Sequence, residues 1–270
     1  MKSFIRFLVF SNIWVAFCVL ALALSSELFL ETANYQVSKF IFFATIFTYN
    51  FQRVVRVKRG SNHVRKQWLV ENKRVIYSLI LSGGIMSGYY FFQFQAPTQI
   101  AIAFSGVLSL LYPFGLRKVP FSKIFVISLI WTISTMLLLV IENNIQITQN
   151  IVLHLISRFL FVFAITIPFD IRDLKHDAQN LETIPLFFGV QKSKIIGVSA
   201  LFICVLIAIF QSFENSLNSS NLLALILLYF VASIFIRKSD ESKGEMYFSF
   251  WIESLCILVY FFLIISGLIF

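Results

Sequence analysis

An all-α integral membrane protein with nine transmembrane helices is the fold class this sequence predicts, and three observations carry the prediction. Of the 270 residues, 59% are hydrophobic and 13% charged, with a mean hydropathy of +0.85, against about 25% charged in an ordinary soluble domain. Stretches free of Asp, Glu, Lys and Arg recur near the length of about 20 residues that a bilayer-crossing helix needs. The remaining charges cluster between those stretches. Such a composition excludes a water-soluble enzyme.

In chain order, residues 7–26 form the first stretch, 38–52 a short aromatic one that contains Lys39, and 75–116 a run long enough for two. That run breaks at 93–99, where Gln93, Gln95, Thr98 and Gln99 surround Pro97 and favour a turn. Residues 124–141, 195–213 and 215–236 give one span each; 150–169 is interrupted only by Arg158, and 246–270 only by Glu253. The first run, with Lys2 and Arg6 before it and Ala21, Leu22 and Ala23 within it, has some features of a signal peptide. It is longer than the h-region of about 7 to 15 residues such peptides carry, so a retained helix is the simpler reading. The whole chain, 1–270, then reads as one transmembrane domain.

Charge placement sets the orientation. With nine spans, one side receives the N-terminus and the loops near 53–74, 115–123, 170–194 and 237–245, and these hold 20 of the 22 Lys and Arg residues. Only Lys39 and Arg158 lie elsewhere. The positive-inside rule places that side, and the N-terminus, in the cytoplasm, with the C-terminus opposite. The net charge of +9 is therefore mainly a topology signal rather than a nucleic-acid footprint. Cys18, Cys204 and Cys256 lie in different spans with no paired spacing, and read as small core residues.

Of only four aspartates, three lie together in Asp170-Ile-Arg-Asp-Leu-Lys-His-Asp177, directly after the sixth span. On a helix, positions 170, 173 and 177 share an arc of about 60°. Like charges so placed repel, so a cation is expected to offset them. Arg172 and Lys175 are one source, which would make this a solvated loop helix. Mg²⁺ is the other: hard oxygen ligands, too few for a full protein cage, leave positions for water and substrate phosphates. A membrane bundle ending in an acidic stripe suits a substrate with a diphosphate head and a hydrocarbon tail.

This run, followed by Thr183, Pro185 and Gly189, resembles the second aspartate motif of the UbiA superfamily of intramembrane prenyltransferases, and is most similar to its quinone-pathway members. Leu111-Tyr-Pro-Phe-Gly-Leu-Arg-Lys118 resembles the family's tyrosine and basic loop, although Leu116 stands where that loop often has lysine. The resemblance implies a UbiA-like bundle. It also implies transfer of a prenyl group from an isoprenoid diphosphate, bound through Mg²⁺, to a lipophilic or aromatic acceptor drawn from the membrane lipid phase. By it, Asp173 and Asp177 would be catalytic, Asp170, Asp173 and Asp177 would hold the metal, and Tyr112, Arg117 and Lys118 would hold the diphosphate.

The family's first motif, an Asn followed by Asp residues, corresponds to Phe47-Thr-Tyr-Asn-Phe-Gln-Arg-Val-Val-Arg56. Asn50 is present, but no acid occurs between Glu31 and Glu71, and Arg53, Arg56, Lys58 and Arg59 crowd the segment. Either guanidinium replaces one metal in clamping phosphate, with Asn50 and Arg53 as substrate contacts, or the chain binds isoprenoid without catalysis. A transporter is a further alternative, resting on the span count and on Arg158 and Glu253. Those two residues are expected to face inward, pair, or lie near an interface. His154, one turn before Arg158, is expected to be a packed histidine.

Overall fold

The computed structural model describes residues 2–58, 65–111, 119–174 and 182–269. Among them every regular element is helical. The helices are α1 (Lys2–Phe10), α2 (Ile13–Leu30), α3 (Gln36–Lys58), α4 (Lys66–Glu71), α5 (Lys73–Phe91), α6 (Ala96–Leu111), α7 (Ser122–Glu142), α8 (Gln149–Arg172), α9 (Ile184–Phe188), α10 (Val190–Phe213) and α11 (Ser219–Lys238). The last, α12, is a π-helical turn, Tyr247–Ile252, running into Glu253–Ile269.

Six of these helices, α2, α7, α8, α10, α11 and α12, are long and apolar enough to cross a membrane. They account for six of the nine expected spans. The other three expected segments are helical as α3, α5 and α6, but fall short of the joint requirement. Arg53, Arg56 and Lys58 extend α3 beyond its apolar stretch, and α6 has 16 residues.

Local signals set the helix ends. Thr148 Oγ1 accepts from the Ile151 N–H (3.4 Å) to start α8, and Asn218 Oδ1 accepts from the Asn221 N–H (2.8 Å) to start α11. Pro168 lies within α8 and cannot donate to the Ala164 carbonyl. Between α1 and α2 the chain breaks at Asn12, whose φ is 59°. Asn50 on α3 spans that break: it accepts from Asn12 Nδ2 (2.9 Å) and donates to the Ser11 carbonyl (2.9 Å).

Packing closes a ring. Helix α2 lies on α3 and α12, and the sequence of neighbours continues through α11, α10, α8 and α7 back to α3. Outside this ring, α5 covers α3 and α6 covers α7. A Cβ at Gly83 would come within 3.0 Å of the Phe43 carbonyl and Phe47 nitrogen, so α5 meets the α3 backbone through a glycine. Polar ties mark the two ends of the bundle. At one end Arg65 donates to the Val9 carbonyl (2.8 Å), and the Tyr247 hydroxyl to the Phe235 carbonyl (2.6 Å). At the other, Gln95 donates to the Glu142 carbonyl (3.0 Å) and Ser266 bonds Asn221 (2.5 Å).

Two buried clusters fill the bundle, one among α8, α10, α11 and α12, the other among α2, α3 and α7. All three cysteines are free and buried. Arg158 points inward, donating to the Leu22 carbonyl (3.0 Å) and to the Ser25 and Ser26 hydroxyls (2.9 Å each). It is thus held by α2 rather than by Glu253. His154 packs against Phe29 with the rings tilted and their centroids 4.6 Å apart.

Candidate functional site

At the Arg65 end of the ring, a cavity of about 250 Å³ opens between the two clusters. Its wall carries Arg53 and Arg56 from α3, Arg65 from the segment before α4, Lys123 from α7, and Arg172 from α8. Facing them are Asp173, Glu245 and Glu253. Cations outnumber carboxylates there, the balance that suits a multiply charged anion.

These charges form a connected array. Lys123 Nζ lies 2.8 Å from Asp170 Oδ1 and 3.4 Å from Asp173 Oδ2. Arg172 Nε donates to Asp173 Oδ1 (2.7 Å), Arg172 Nη2 to Asp173 Oδ2 (3.2 Å), and Arg172 Nη1 to Glu245 Oε2 (3.2 Å). Glu245 in turn accepts from Arg65 Nε (3.0 Å) and Nη2, and from the Ser249 hydroxyl (2.9 Å). The Arg172 guanidinium also lies over the rings of Phe169 (5.2 Å) and Phe248 (5.6 Å), which fixes its plane.

The array sets proton affinities. Burial alone raises the Asp173 carboxyl, but the Arg172 and Lys123 cations outweigh it and hold the group down to about 2. Burial likewise opposes ionisation of Glu245, and Arg65 and Arg172 overcome it, leaving this carboxyl below its ordinary value. Both groups therefore act as fixed negative charges.

A second cavity, about 380 Å³, continues from the first. The two share Thr48, Tyr49, Ser109, Ile130 and Trp131 as wall, and Trp131 Nε1 donates to the Tyr49 hydroxyl (3.2 Å) at the boundary. Apolar side chains such as Phe40, Phe47, Phe91 and Ile102, with Gly84, Gly88 and Gly106, make up most of the rest. Among the described residues no Asp, Glu, Lys, Arg or His lines it. A polar chamber thus gives onto an apolar one.

The residues singled out from sequence fall into three groups. Arg53 and Asp173 face one cavity from opposite helices. Asp170 is 1% exposed, behind Asp173, on Lys123. Asn50 is 0% exposed and does not line the cavity; its amide is taken up by Asn12, Ser11 and Ile46. In the structure Asn50 therefore serves as a brace at the α1–α2 break. Tyr112, Arg117, Lys118 and Asp177 lie outside the described residues.

Three further participants emerge, Arg65, Lys123 and Glu245. In the sequence Arg65 and Lys123 are two of the many basic loop residues that signal topology, and Glu245 is only the last residue of the loop near 237–245. Their meeting depends on contacts 50 to 180 residues apart. Among the described residues no three His, Cys, Asp or Glu side chains gather to hold a metal ion. Asp173 offers oxygen donors on the α8 side, whereas the α3 side offers Arg53 and Arg56.

An apolar helical bundle of this length and composition, with a polar chamber opening into an apolar one, defines an integral membrane protein. Residues 64–255 match the UbiA prenyltransferase family, and the chain belongs to it. Three solved structures share the fold. A UbiA homologue from Archaeoglobus fulgidus bound to GPP and Mg²⁺ is 13% identical, with a TM-score of 0.67 over 97% of this chain and 99% of that one. An apo UbiA homologue from Aeropyrum pernix K1 is 11% identical, with a TM-score of 0.65 over 94% and 98%. A digeranylgeranylglyceryl phosphate synthase is 14% identical, with a TM-score of 0.59 over the whole of both chains. No curated protein matches by sequence.

Proposed function

We propose that this protein transfers a prenyl group from an isoprenoid diphosphate to an acceptor, and that residues 1–270 form one nine-span unit with its N-terminus in the cytoplasm. The observation that carries the reading is the junction of the two chambers. The diphosphate lies among Arg53, Arg56 and Lys123, and the hydrocarbon chain runs past Tyr49 and Trp131 into the apolar chamber. Charge-assisted hydrogen bonds from guanidinium groups hold the phosphate oxygens. The aromatic faces at the boundary favour the allylic cation left when the C–O bond breaks. The similarity of 170–177 to quinone-pathway members points to an aromatic acceptor from the membrane.

Asp173 would hold one Mg²⁺ on the α8 side with Asp170 behind it, the motif assigning Asp177 to the same ion, and no second ion would sit on the α3 side, where acids give way to arginine. When bound, such an ion neutralises charge on the departing diphosphate. Arg172 and Lys123 orient Asp173, and Arg53 takes the phosphate face opposite it. A second reading, isoprenoid binding without transfer, is favoured by one observation: Asp170 and Asp173 both already meet Lys123.

Protein in lipid nanodiscs, given labelled isoprenoid diphosphates of several chain lengths with hydroxylated aromatic acceptors, distinguishes the two. Transfer predicts acceptor-dependent release of diphosphate. Saturable binding without release supports the second reading, and absence of binding overturns both. Replacing Arg53 by Ala is expected to weaken diphosphate binding about 10- to 100-fold, the worth of one charge-assisted contact. An unchanged dissociation constant would return Arg53 to the set of anchoring charges.

A further inference from the structure

Two ionisable side chains stand inside apolar spans, where an ionisable group is costly and seldom without a role. Arg158 is accounted for by its bonds to α2. Glu253 is not. It follows directly on the π-helical turn Tyr247–Ile252, a feature that often marks functional positions. With Ser249 and Cys256 it lies on the stripe of α12 that faces the polar chamber, and Glu245 lines the same chamber just before that helix. Glu245 and Ser249 are committed to Arg65 and Arg172. Among the described residues, no hydrogen bond or close ion pair engages Glu253.

Its depth matters. Eight residues beyond Glu245 and past the π-helical turn, it lines the chamber deeper toward the apolar spans than Glu245 does. The longer-range fields of Arg65, Arg172 and Arg53 reach it, opposed by that of Glu245. Tyr49, Cys18 and Cys256 are the other titratable groups near it. Tyr49 belongs to the boundary between the chambers. With the diphosphate among the arginines, the carbon bonded to it reaches this level, and so does the acceptor atom that attacks it.

We propose that the Glu253 carboxylate accepts the proton that the acceptor loses during transfer, an inference that rests on the prenyl-transfer reading above. The allylic C–O bond breaks, and its electron pair leaves with the diphosphate. A π pair of the acceptor ring forms the new bond to the allylic carbon. The ring carbon then releases its proton to a Glu253 oxygen, and the C–H pair restores aromaticity. Diphosphate and one proton leave through the chamber mouth, so atoms and charge balance. Asp173 is poorly placed for this step, because Arg172 and Lys123 already occupy its oxygens.

The test compares wild type with Glu253→Gln and Glu253→Asp in nanodiscs, reading diphosphate binding, product formation and the effect of deuterating the acceptor ring. Glu253→Gln is expected to bind the isoprenoid diphosphate within about threefold of wild type but to form product about 100-fold more slowly, the scale of general-base catalysis. It should also show a deuterium isotope effect larger than wild type, because proton removal has become slow. Glu253→Asp should recover part of the rate. Product formation by Glu253→Gln at the wild-type rate overturns the assignment, as does a parallel loss of binding and turnover with no change in isotope effect. If Glu253→Gln does not fold, a wild-type rate and isotope effect in Glu253→Asp, whose carboxylate is withdrawn by one methylene, overturns it equally. If wild type forms no product with any acceptor, the prenyl-transfer reading itself fails and the Glu253 step falls with it.

Discussion

Asp173→Asn is expected to slow product formation about 100- to 1000-fold, the cost of removing one electrostatic contact made chiefly in a transition state. The substitution keeps the shape and one acceptor oxygen while removing the charge. Its effect on folding should be small, because neither cation it leaves behind is stranded. Arg172 keeps Glu245 (3.2 Å) and Lys123 keeps Asp170 (2.8 Å). A stability loss of about 1 kcal/mol is the scale for such a partly shared pair. Turnover, diphosphate affinity and the thermal midpoint in the same nanodisc preparation separate the two effects. Full turnover in Asp173→Asn would remove the role assigned to this carboxylate. Loss of turnover in step with the thermal midpoint would make it a structural one.

How much of this was legible in the sequence depends on how far apart the contributing residues lie. The apolar stretches follow from composition and are helical, the first of them divided at Ser11 and Asn12, while the break expected at 93–99 falls at 92–95, with Pro97 already in the first turn of α6. Asp173 and Arg53 were legible because each sits at the end of an apolar run, next to a motif with its own chemistry. Glu245 was not. It stands among Ser242, Lys243 and Gly244, and only the packing of α12 against α8 brings it to Arg172. Lys123 is one of many basic loop residues until α7 and α8 pack side by side. The direction of Asn50, buried against Asn12, was not legible either, since a helix apolar nearly all round gives no sign of which face meets the cavity. The same ambiguity hid the orientation of Glu253, although its presence in an apolar run marked it out.

Glu245→Gln is expected to cost more stability than any other single change at the site, about 3 kcal/mol, toward the lower end of what breaking a buried ion pair costs. Arg65 is 4% exposed and Glu245 16%, so little water is at hand to replace the lost charge. Gln keeps the volume and can still accept from Ser249, which isolates the effect of charge. With Glu245 neutral, Arg65 and Arg172 face each other across an uncharged group, and the tie joining the segment before α4 to α8 and α12 is lost. The same linkage fixes a pH dependence. Because the folded carboxyl titrates below its ordinary value near 4.5, its contribution is complete above that value and is lost as the pH falls through the lower folded one. Wild type should therefore lose stability on acidification more steeply than Glu245→Gln, with the two curves converging at the acid end. Thermal midpoints of both proteins from neutral pH downward test this. Parallel curves would show that Glu245 supports the site through its hydrogen bonds, and that the charge binding Arg65 to Arg172 contributes little.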